Sequence, residues 1–311
     1  MQEFCTETAY QNANTLTKSE LQRAMMNKEI LQSTALAFDT DRQLRFTLNG
    51  ISAIMPFDEC ADGACDGNVR DIAVLTRVGR ATCFVIQDIC TDYKTGTETF
   101  VLSRTEAQSI CKTEYLDKLN AGDILPCTVT HIEAFGAFCD IGCGISALLP
   151  IDCMSVSRIS SPYDRLNIGQ EIFCIVKSRD PQGRFVLSMR ELLGTWAENA
   201  EKFCVGETVV GIVRSVESYG TFIELAPNLA GLAESSAELH AGQSVSVYIK
   251  NILSDKMKIK LVIVNKHLGQ GIRFDLQYFL MQGHLDRWVY STSDCRKQIT
   301  TDFSCAQALV R

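Results

Sequence analysis

The chain has 311 residues, 46% of them hydrophobic and 22% charged, and its formal net charge is −7. This is the composition of a globular protein with two or three domains and no low-complexity tract. The negative charge argues against binding to duplex DNA through charge alone, but leaves single-strand binding open, because stacking on aromatic side chains supplies much of that energy. No apolar run nears the ~20 residues of a membrane span, and the polar start MQEFCTETAY predicts no secretory signal, so we expect a cytoplasmic protein.

The 14 cysteines are scattered, mostly within apolar runs. Without a secretory signal, we predict that they are reduced thiols rather than a disulfide framework. The spacings closest to a metal site are those of Cys60 with Cys65 and Cys139 with Cys143, but neither pair has a matching second pair. We therefore predict no metal and interpret the cysteines as small buried apolar residues.

Residues 1–28 are predicted to be an N-terminal helical segment. Thr17-Lys-Ser-Glu20 has the pattern of a capping box, in which a hydroxyl and a carboxylate satisfy backbone N–H groups at a helix start. The amphipathic stretch LQRAMMNKEIL follows directly, as expected for a helix with one buried face.

The rest of the chain contains an internal repeat. Residues 30–58 align without a gap to residues 124–152, at a constant offset of 94 (124 − 30), and nine positions are identical. Residues 208–234 align to the second copy at an offset of 84 (208 − 124), which places Tyr219-Gly-Thr-Phe222 on Phe135-Gly-Ala-Phe138. Since repeats of this length are single structural units, we interpret them as three related modules.

Each module is predicted to be a small β-barrel. Runs such as TCFVIQDI, EIFCIVKS and SVSVYIKNI alternate between apolar and polar residues, which indicates half-buried strands, and Gly-containing turns separate them. Units of 60 to 75 residues with short strands are typical of the five-stranded OB-fold. We predict a mainly β protein of tandem barrels joined by short helices. The three modules are predicted at 29–104, 121–190 and 205–264, with helical linkers at 105–120 and 191–204. The second linker contains the capping-box pattern Thr195-Trp-Ala-Glu198.

Residues 265–311 are too rich in apolar and aromatic residues for a disordered tail. RFDLQYFL alternates like a strand, and the stretch from Gly283 to Trp288 reads as a turn and another strand. We predict a small β appendage on module three. Tyr278, Arg287 and Trp288 could form a further RNA or protein contact, although hydrophobic packing is the favoured interpretation.

Module two resembles an S1 RNA-binding domain over nearly its whole length. The resemblance rests on GDILPCTVTHIEAFGAFCDIG, the LLP turn and NIGQEIFCIVKSRDPQGRFVLSMR, and module three repeats the pattern. Taken together, the chain is similar to the small S1 homologues of Gram-positive bacteria, which are relatives of ribosomal protein S1. The resemblance implies an OB-fold and binding of single-stranded RNA, either mRNA or rRNA, with no cofactor and with a role on the small ribosomal subunit or in translation.

The resemblance also implies a set of RNA-binding residues. Two solvent-facing aromatics per module would stack bases, with the intervening Gly leaving room for the nucleotide. An Asp and an Arg four residues apart would line the same face, the Asp by accepting from a base or by orienting the Arg, and further cations would contact phosphate. The candidate residues are Phe135, Phe138, Lys177, Asp180, Arg184, Arg190, Arg214, Tyr219, Phe222, Lys250 and Lys258.

The sequence also departs from the family pattern. Pro150 and Glu234 stand where many S1 domains have a His after the third strand, and module three has Ser254 in place of the Asp. In module one, Asp41 to Leu44 replace the aromatic motif, so we expect a barrel without a stacking platform, in which Arg42 and Arg45 could still contact phosphate. These losses keep a second function open, a protein–protein adaptor with weak or no RNA binding. An enzyme is disfavoured, because no Rossmann or phosphate-cradling loop occurs and His131, which we interpret as structural, lies far in sequence from the other histidines.

Overall fold

The computed structural model describes residues 4–61, 71–91, 96–266, 268–269 and 273–304. The chain divides into two compact units. Unit 1 comprises Met1–Leu119 and Asp140–Ile145, and unit 2 comprises Asn120–Cys139 and Ser146–Arg311. The described residues contain no helix that is long and apolar enough to cross a membrane.

The described residues of unit 1 form three short α-helices and the six strands of module one. The helices are α1 (Lys18–Asn27), α2 (Asp71–Leu75) and α3 (Arg104–Glu114). The strands are β1 (Leu31–Thr34), β2 (Ala37–Phe38), β3 (Gln43–Leu48), β4 (Ile51–Pro56), β5 (Ala81–Thr91) and β6 (Glu98–Ser103). The capping box predicted at Thr17 and Glu20 is present, and α1 places Leu21 and Ala24 in the core of the sheet.

The sheet of module one is not a closed ring. Its strand order is β1-β5-β6-β4-β3-β2, because the first strand is split into two pieces that pair with opposite ends of the sheet. The break falls at Ala35, whose backbone bonds instead to Gly79 and Arg80. Module one therefore keeps the connectivity of a five-stranded barrel but opens it at its first strand.

Unit 2 contains the closed barrels of modules two and three. Module two has β7 (Ile124–Glu133), β8 (Gly136–Asp140), β9 (Ser146–Pro150), β10 (Glu171–Arg179) and β11 (Phe185–Ser188). After α4 (Trp196–Ala200), module three has β12 (Thr208–Glu217), β13 (Gly220–Ala226), β14 (Leu229–Ala233), β15 (Ser244–Leu253) and β16 (Lys258–Asn265). In both barrels the third and fifth strands pair in parallel, at Leu148 with Val186 and at Leu232 with Lys260. The predicted fold class of tandem OB-type barrels is confirmed.

The C-terminal extension packs on both barrels of unit 2. Its strands are β17 (Arg287–Val289) and β18 (Thr300–Asp302), which pair with each other. Trp288 is buried in the core of module three, whereas Phe303 packs against Ile175 of module two. The strand predicted over RFDLQYFL is wrong, because residues 273–280 adopt an irregular path in which Tyr278 packs against module two.

Candidate nucleic-acid interface

Each barrel of unit 2 carries an exposed aromatic pair at its first hairpin. Phe135 and Phe138 have ring centroids 6.1 Å apart with planes at 89°, and Tyr219 and Phe222 have centroids 6.1 Å apart with planes at 85°. Phe135 is 56% exposed and Tyr219 is 68% exposed, whereas Phe138 and Phe222 are half-buried. Two modules of different sequence therefore hold the same edge-to-face pair, with one ring of each pair open to solvent.

The glycine between the two aromatics has a packing role that the sequence analysis missed. A Cβ on Gly136 would lie 2.5 Å from the carbonyl oxygen of Leu149, and one on Gly220 would lie 2.7 Å from Cδ1 of Leu232. Both obstacles belong to the third strand of the same barrel. Close approach of two neighbouring strands is therefore a reason for these glycines in itself, and the predicted space for a nucleotide stays a prediction.

The turn between β10 and β11 places a cation beside the aromatic pair of module two. Phe135, Phe138, Asp180 and Arg184 line one groove with a volume of about 460 Å³. Asp180 accepts the backbone N–H groups of Gln182 and Arg184 on one oxygen, and Nε of Arg184 donates to the other at 2.6 Å. Although partial desolvation raises the pKa of Asp180, these hydrogen bonds lower it below its ordinary value. Of the two predicted roles for Asp180, the contacts fit orientation of Arg184.

Module three holds a simpler version of the same surface. Lys258 lies at the start of β16, whose Lys260 pairs with Leu232, and Leu232 pairs in turn with Phe222. The exposed Lys258 therefore faces the side of the barrel that carries the aromatic pair, and the exposed Ser254 lies in the turn before it. Lys250 is also exposed, but it lies on β15, two residues after Tyr248, which pairs with Thr208 at the start of β12.

Three predicted cations do not join the aromatic pairs. Nζ of Lys177 donates to Sγ of Cys153 at 3.1 Å. Arg190 is bound by Glu191 and Thr301, on the side of module two that holds the C-terminal extension. The side chain of Arg214 is only 6% exposed, and Nε donates to Oε2 of Glu224 at 2.6 Å. Because its guanidinium is buried and bound, Arg214 is removed from the candidate interface.

His131 is a surface residue that the sequence analysis assigned to structure. Its ring stacks on Phe138 with centroids 6.3 Å apart and planes at 24°, and Nε2 lies 2.7 Å from Oε1 of Glu133. The side chain is exposed on β7, next to the aromatic pair. His131 thus extends the aromatic surface of module two to three rings, and Ser215 occupies the equivalent position in module three. The signal was present in the sequence, since His131 lies next to the buried Ile132 in an alternating strand.

The described residues of module one, 29–61, 71–91 and 96–104, form no equivalent surface. Arg42 stacks on Phe57 with its guanidinium carbon 3.9 Å from the ring centroid and pairs with Asp71 at 2.7 Å. Arg45 pairs with Asp39. Both arginines that the sequence analysis offered as phosphate contacts are engaged within the module.

A carboxylate on the second barrel strand is buried in both modules two and three, but with different partners. Glu224 is fully buried and binds the guanidinium groups of Arg165 and Arg214. Arg165 comes from module two, so this ion pair joins the two modules within unit 2. Asp140, at the equivalent position, lies in unit 1 and accepts the N–H groups of Glu7, Gly142 and Gly144. Burial raises the pKa of Asp140 to about 6, against the lowering effect of these N–H groups.

The described cysteines are all free thiols, and Cys65 lies outside the described residues. Within the described part of the chain, no group of three or more His, Cys, Asp or Glu residues is arranged to hold a metal ion. Cys143, one of the candidate ligands, instead lies 3.1 Å from the hydroxyl of Tyr10.

Closed five-stranded barrels with an aromatic pair at the first hairpin define modules two and three as OB-type modules. Residues 118–190 match the family model of the S1 RNA binding domain. The chain is 30% identical over 181 residues to small ribosomal subunit protein bS1 of Streptococcus pneumoniae, which covers 53% of this chain and 45% of that protein. It is 32% identical over 180 residues to bS1 of Staphylococcus haemolyticus, covering 52% and 46%. The predicted resemblance is confirmed, and the chain spans about half the length of the curated relatives that it matches.

Among solved structures, the chain is similar to the solution structure of GSP13 from Bacillus subtilis. The identity is 26%, the match covers 24% of this chain and 57% of that one, and the TM-score is 0.23. At this TM-score, the likeness adds nothing to the argument from the site.

Proposed function

We propose that modules two and three bind single-stranded RNA by stacking bases on Phe135 and Tyr219. The observation that carries the proposal is the repeated edge-to-face pair, which leaves one ring of each module open on a barrel wall. Every base has a π-face, so such a ring binds a single strand with little demand on sequence, at about 1–3 kcal/mol per base. The match of residues 118–190 to a model described as RNA-binding supports the same proposal.

The two modules would contribute unequally. Module two adds His131 to the aromatic surface and an oriented guanidinium at Arg184, which can bond phosphate in a fixed geometry. Module three offers Lys258, a flexible point charge. Because the chain is acidic overall, affinity would come from linking two moderate sites on one strand rather than from a strong positive field.

The relatives named small ribosomal subunit protein bS1 extend the proposal to translation. In this proposal the strand bound is an mRNA or an rRNA, and the small ribosomal subunit is the partner. The barrels would act as binding modules without chemistry.

The test is a fluorescence-anisotropy titration of a labelled single-stranded oligouridylate with the full chain at low and moderate salt. Wild type is compared with a Phe135→Ala/Tyr219→Ala double variant and with a Tyr163→Ala control, since Tyr163 is an exposed aromatic that belongs to neither pair. We expect micromolar binding with shallow salt dependence, lost in the double variant and retained in the control, with unchanged circular dichroism in both.

Absence of binding at tens of micromolar and low salt would sink the stacking proposal. It would favour the second function, a protein–protein adaptor. The observation that supports an adaptor is a set of exposed apolar side chains on module three, which includes Tyr248 and Val262. Equal loss of binding in the Tyr163→Ala control would also contradict the proposal, because it would show that exposed aromatics in general, and not the paired ones, carry the binding.

A further inference from the structure

In module two, residues 283–285 of the C-terminal extension pair with the start of the first strand through one antiparallel bridge, Asp123 with His284, and serve there as a short added strand. The N–H of Ile124 donates to the carbonyl of Gly283 at 3.0 Å, and the N–H of Leu285 donates to the carbonyl of Gly122 at 2.9 Å. The same extension also contacts module two through side chains, since Tyr278 packs edge-on against Phe173 with ring centroids 5.5 Å apart. The two hydrogen bonds and the one bridge are the shortest form of β-strand addition to a barrel wall, here made by a segment of the same chain.

Module three reproduces the backbone that accepts this added strand. In module two, Gly122 donates to the carbonyl of Val176 at 2.8 Å; in module three, Gly206 donates to the carbonyl of Ile249 at 2.9 Å. Thr208 pairs with Tyr248 as Ile124 pairs with Ile175. The shared register turns the N–H of Thr208 and the carbonyl of Gly206 toward the side on which module two receives its added strand.

The same wall of module three is open and apolar. Tyr248 is 39% exposed, whereas Ile175, its counterpart in module two, is completely buried. Four further apolar side chains are exposed on or beside β12 and β16, and among the described residues nothing covers them. They are Val205, Val210, Val262 and Val264. We call this surface, with the backbone of residues 206–208, the module-three edge.

We propose that the module-three edge binds an extended segment of a partner polypeptide, which adds an antiparallel strand at residues 206–208 and places a large apolar side chain beside Tyr248. Exposed strand edges beside apolar side chains are usually covered in native proteins. Module two shows what such a cover consists of, since a polypeptide segment pairs with the start of its first strand. This surface is separate from the aromatic pair, because Thr208 and Tyr219 lie at opposite ends of the first hairpin strand.

The composition of the edge favours an acidic polypeptide over RNA. Aliphatic side chains give bases little to stack on, and valines make up most of the exposed wall. Lysines border one side of it, since Lys250 lies next to the residue that pairs with Gly206 and Lys260 is exposed on β16, while Oε2 of the exposed Glu207 within the edge accepts the N–H of Cys204. Carboxylates flanking the apolar residue of the partner would complement these lysines.

The probe for the test is a labelled peptide with the sequence of residues 276–286, the segment that covers module two, in which Gln277 and Gln282 are replaced by Glu. The second probe is the same peptide without the replacements. Both are titrated into the full chain by fluorescence anisotropy. We expect saturable binding with a Kd below about 1 mM, and tighter binding for the acidic peptide, with the difference shrinking as salt is added.

Variants of the chain assign the binding to the module-three edge. Tyr248→Ala/Val262→Ser removes the apolar contacts and should weaken binding by about tenfold or more, while Lys250→Glu should abolish the advantage of the acidic peptide. Tyr163→Ala is the matched control for an exposed aromatic elsewhere on unit 2 and should leave peptide binding unchanged. Hydrogen exchange with bound peptide should slow at residues 206–208 and 246–250.

Three outcomes would overturn the proposal. The first is absence of peptide binding at about 1 mM. The second is full binding by the Tyr248→Ala/Val262→Ser variant. The third is protection of residues 206–208 and 246–250 by oligouridylate or by self-association in place of the peptide, which would assign the edge to RNA or to a second copy. Because oligouridylate binding is scored separately with Phe135→Ala/Tyr219→Ala, failure of this proposal is distinguishable from failure of RNA binding.

Discussion

Modules two and three share one backbone plan and differ in what surrounds it. The aromatic pairs have the same centroid separation, 6.1 Å, although one contains Phe135 and the other Tyr219. The turn beside the pair holds an oriented Asp180–Arg184 pair in one module and Ser254 with Lys258 in the other. The outer wall is covered in module two and open in module three. Barrel geometry therefore fixes the position of the aromatic pair, while the turns and the covering segments set the charge and the exposed apolar surface of each copy.

The largest expected effect concerns the carboxylate that joins the two modules. Glu224→Leu leaves the buried Arg165 without its ion-pair partner and leaves Arg214 only Asp164, 3.3 Å from its guanidinium, so we expect unit 2 to lose about 3–5 kcal/mol of unfolding free energy. Urea unfolding followed by tryptophan fluorescence measures it, because Trp196 and Trp288 both lie in the core of module three. Glu217→Leu, at an exposed position, is the control, and an equal loss there would contradict the assignment.

The next effect tests the shared hairpin geometry. Gly136→Ala and Gly220→Ala each force a Cβ into the neighbouring third strand, so each should destabilise its barrel by about 1–3 kcal/mol. Thermal unfolding monitored by circular dichroism gives the change, with Ser218→Ala in the same hairpin region as a control. If either alanine variant kept full stability and lost only RNA affinity, the interpretation of these glycines as nucleotide space would be supported instead.

The third effect is a pH dependence of stability that comes from Asp140, the counterpart of Glu224 in module two. The pKa of Asp140 is about 6 in the folded protein, above its ordinary value of 3.8, so the folded state binds this proton more tightly than the unfolded state. Its contribution to stability is therefore greatest at low pH and is lost as pH rises from about 4 through 6. Relative to Asp140→Asn, wild type should be less stable at pH 8 than at pH 5 by about 1–2 kcal/mol.

Hydrogen exchange read out by mass spectrometry follows unit 1 for this comparison, since both tryptophans lie in unit 2. Peptides from α3 are the reporters, because Arg104 of that helix belongs to the same buried cluster through Glu7. A difference between wild type and Asp140→Asn that does not vary with pH would show that Asp140 titrates at its ordinary pKa.

The smallest effect sharpens the difference between the two turns. Arg184→Lys keeps the charge of module two but loses the hydrogen bond that Nε of Arg184 donates to Asp180. The free energy of RNA binding should therefore weaken by up to about 1 kcal/mol. Lys258→Arg should change binding less, because Ser254 supplies no carboxylate to orient the new guanidinium. Anisotropy titrations at matched salt measure both, and equal effects in the two modules would mean that Asp180 does not orient Arg184 for binding.

The barrels, the capping boxes and the aromatic motif could be predicted because each depends on residues close in sequence. Alternation marks strands, and Thr17 and Thr195 lie three residues from their glutamates. The buried ion pair at Glu224 could not be predicted, because Arg165 lies 59 residues away in another module. The wrongly predicted strand at residues 273–280 has the same origin. Alternation shows which side chains could be buried, but not that Tyr278 packs against module two instead of joining a sheet. The exposure of Tyr248 likewise depends on a missing cover rather than on its own sequence.

Unit 1 is discontinuous in the chain, and this has a consequence for the order of synthesis. Residues 140–145 complete a cluster whose other members lie among the first 119 residues, and the carbonyl of Cys143 accepts from Gln108 while its N–H donates to Cys5. A nascent chain that has emerged only as far as α3 holds Arg104 and Gln108 without these acceptors. Domains usually fold as they leave the ribosome, N-terminal first. Here the N-terminal unit cannot finish folding until part of module two has been translated.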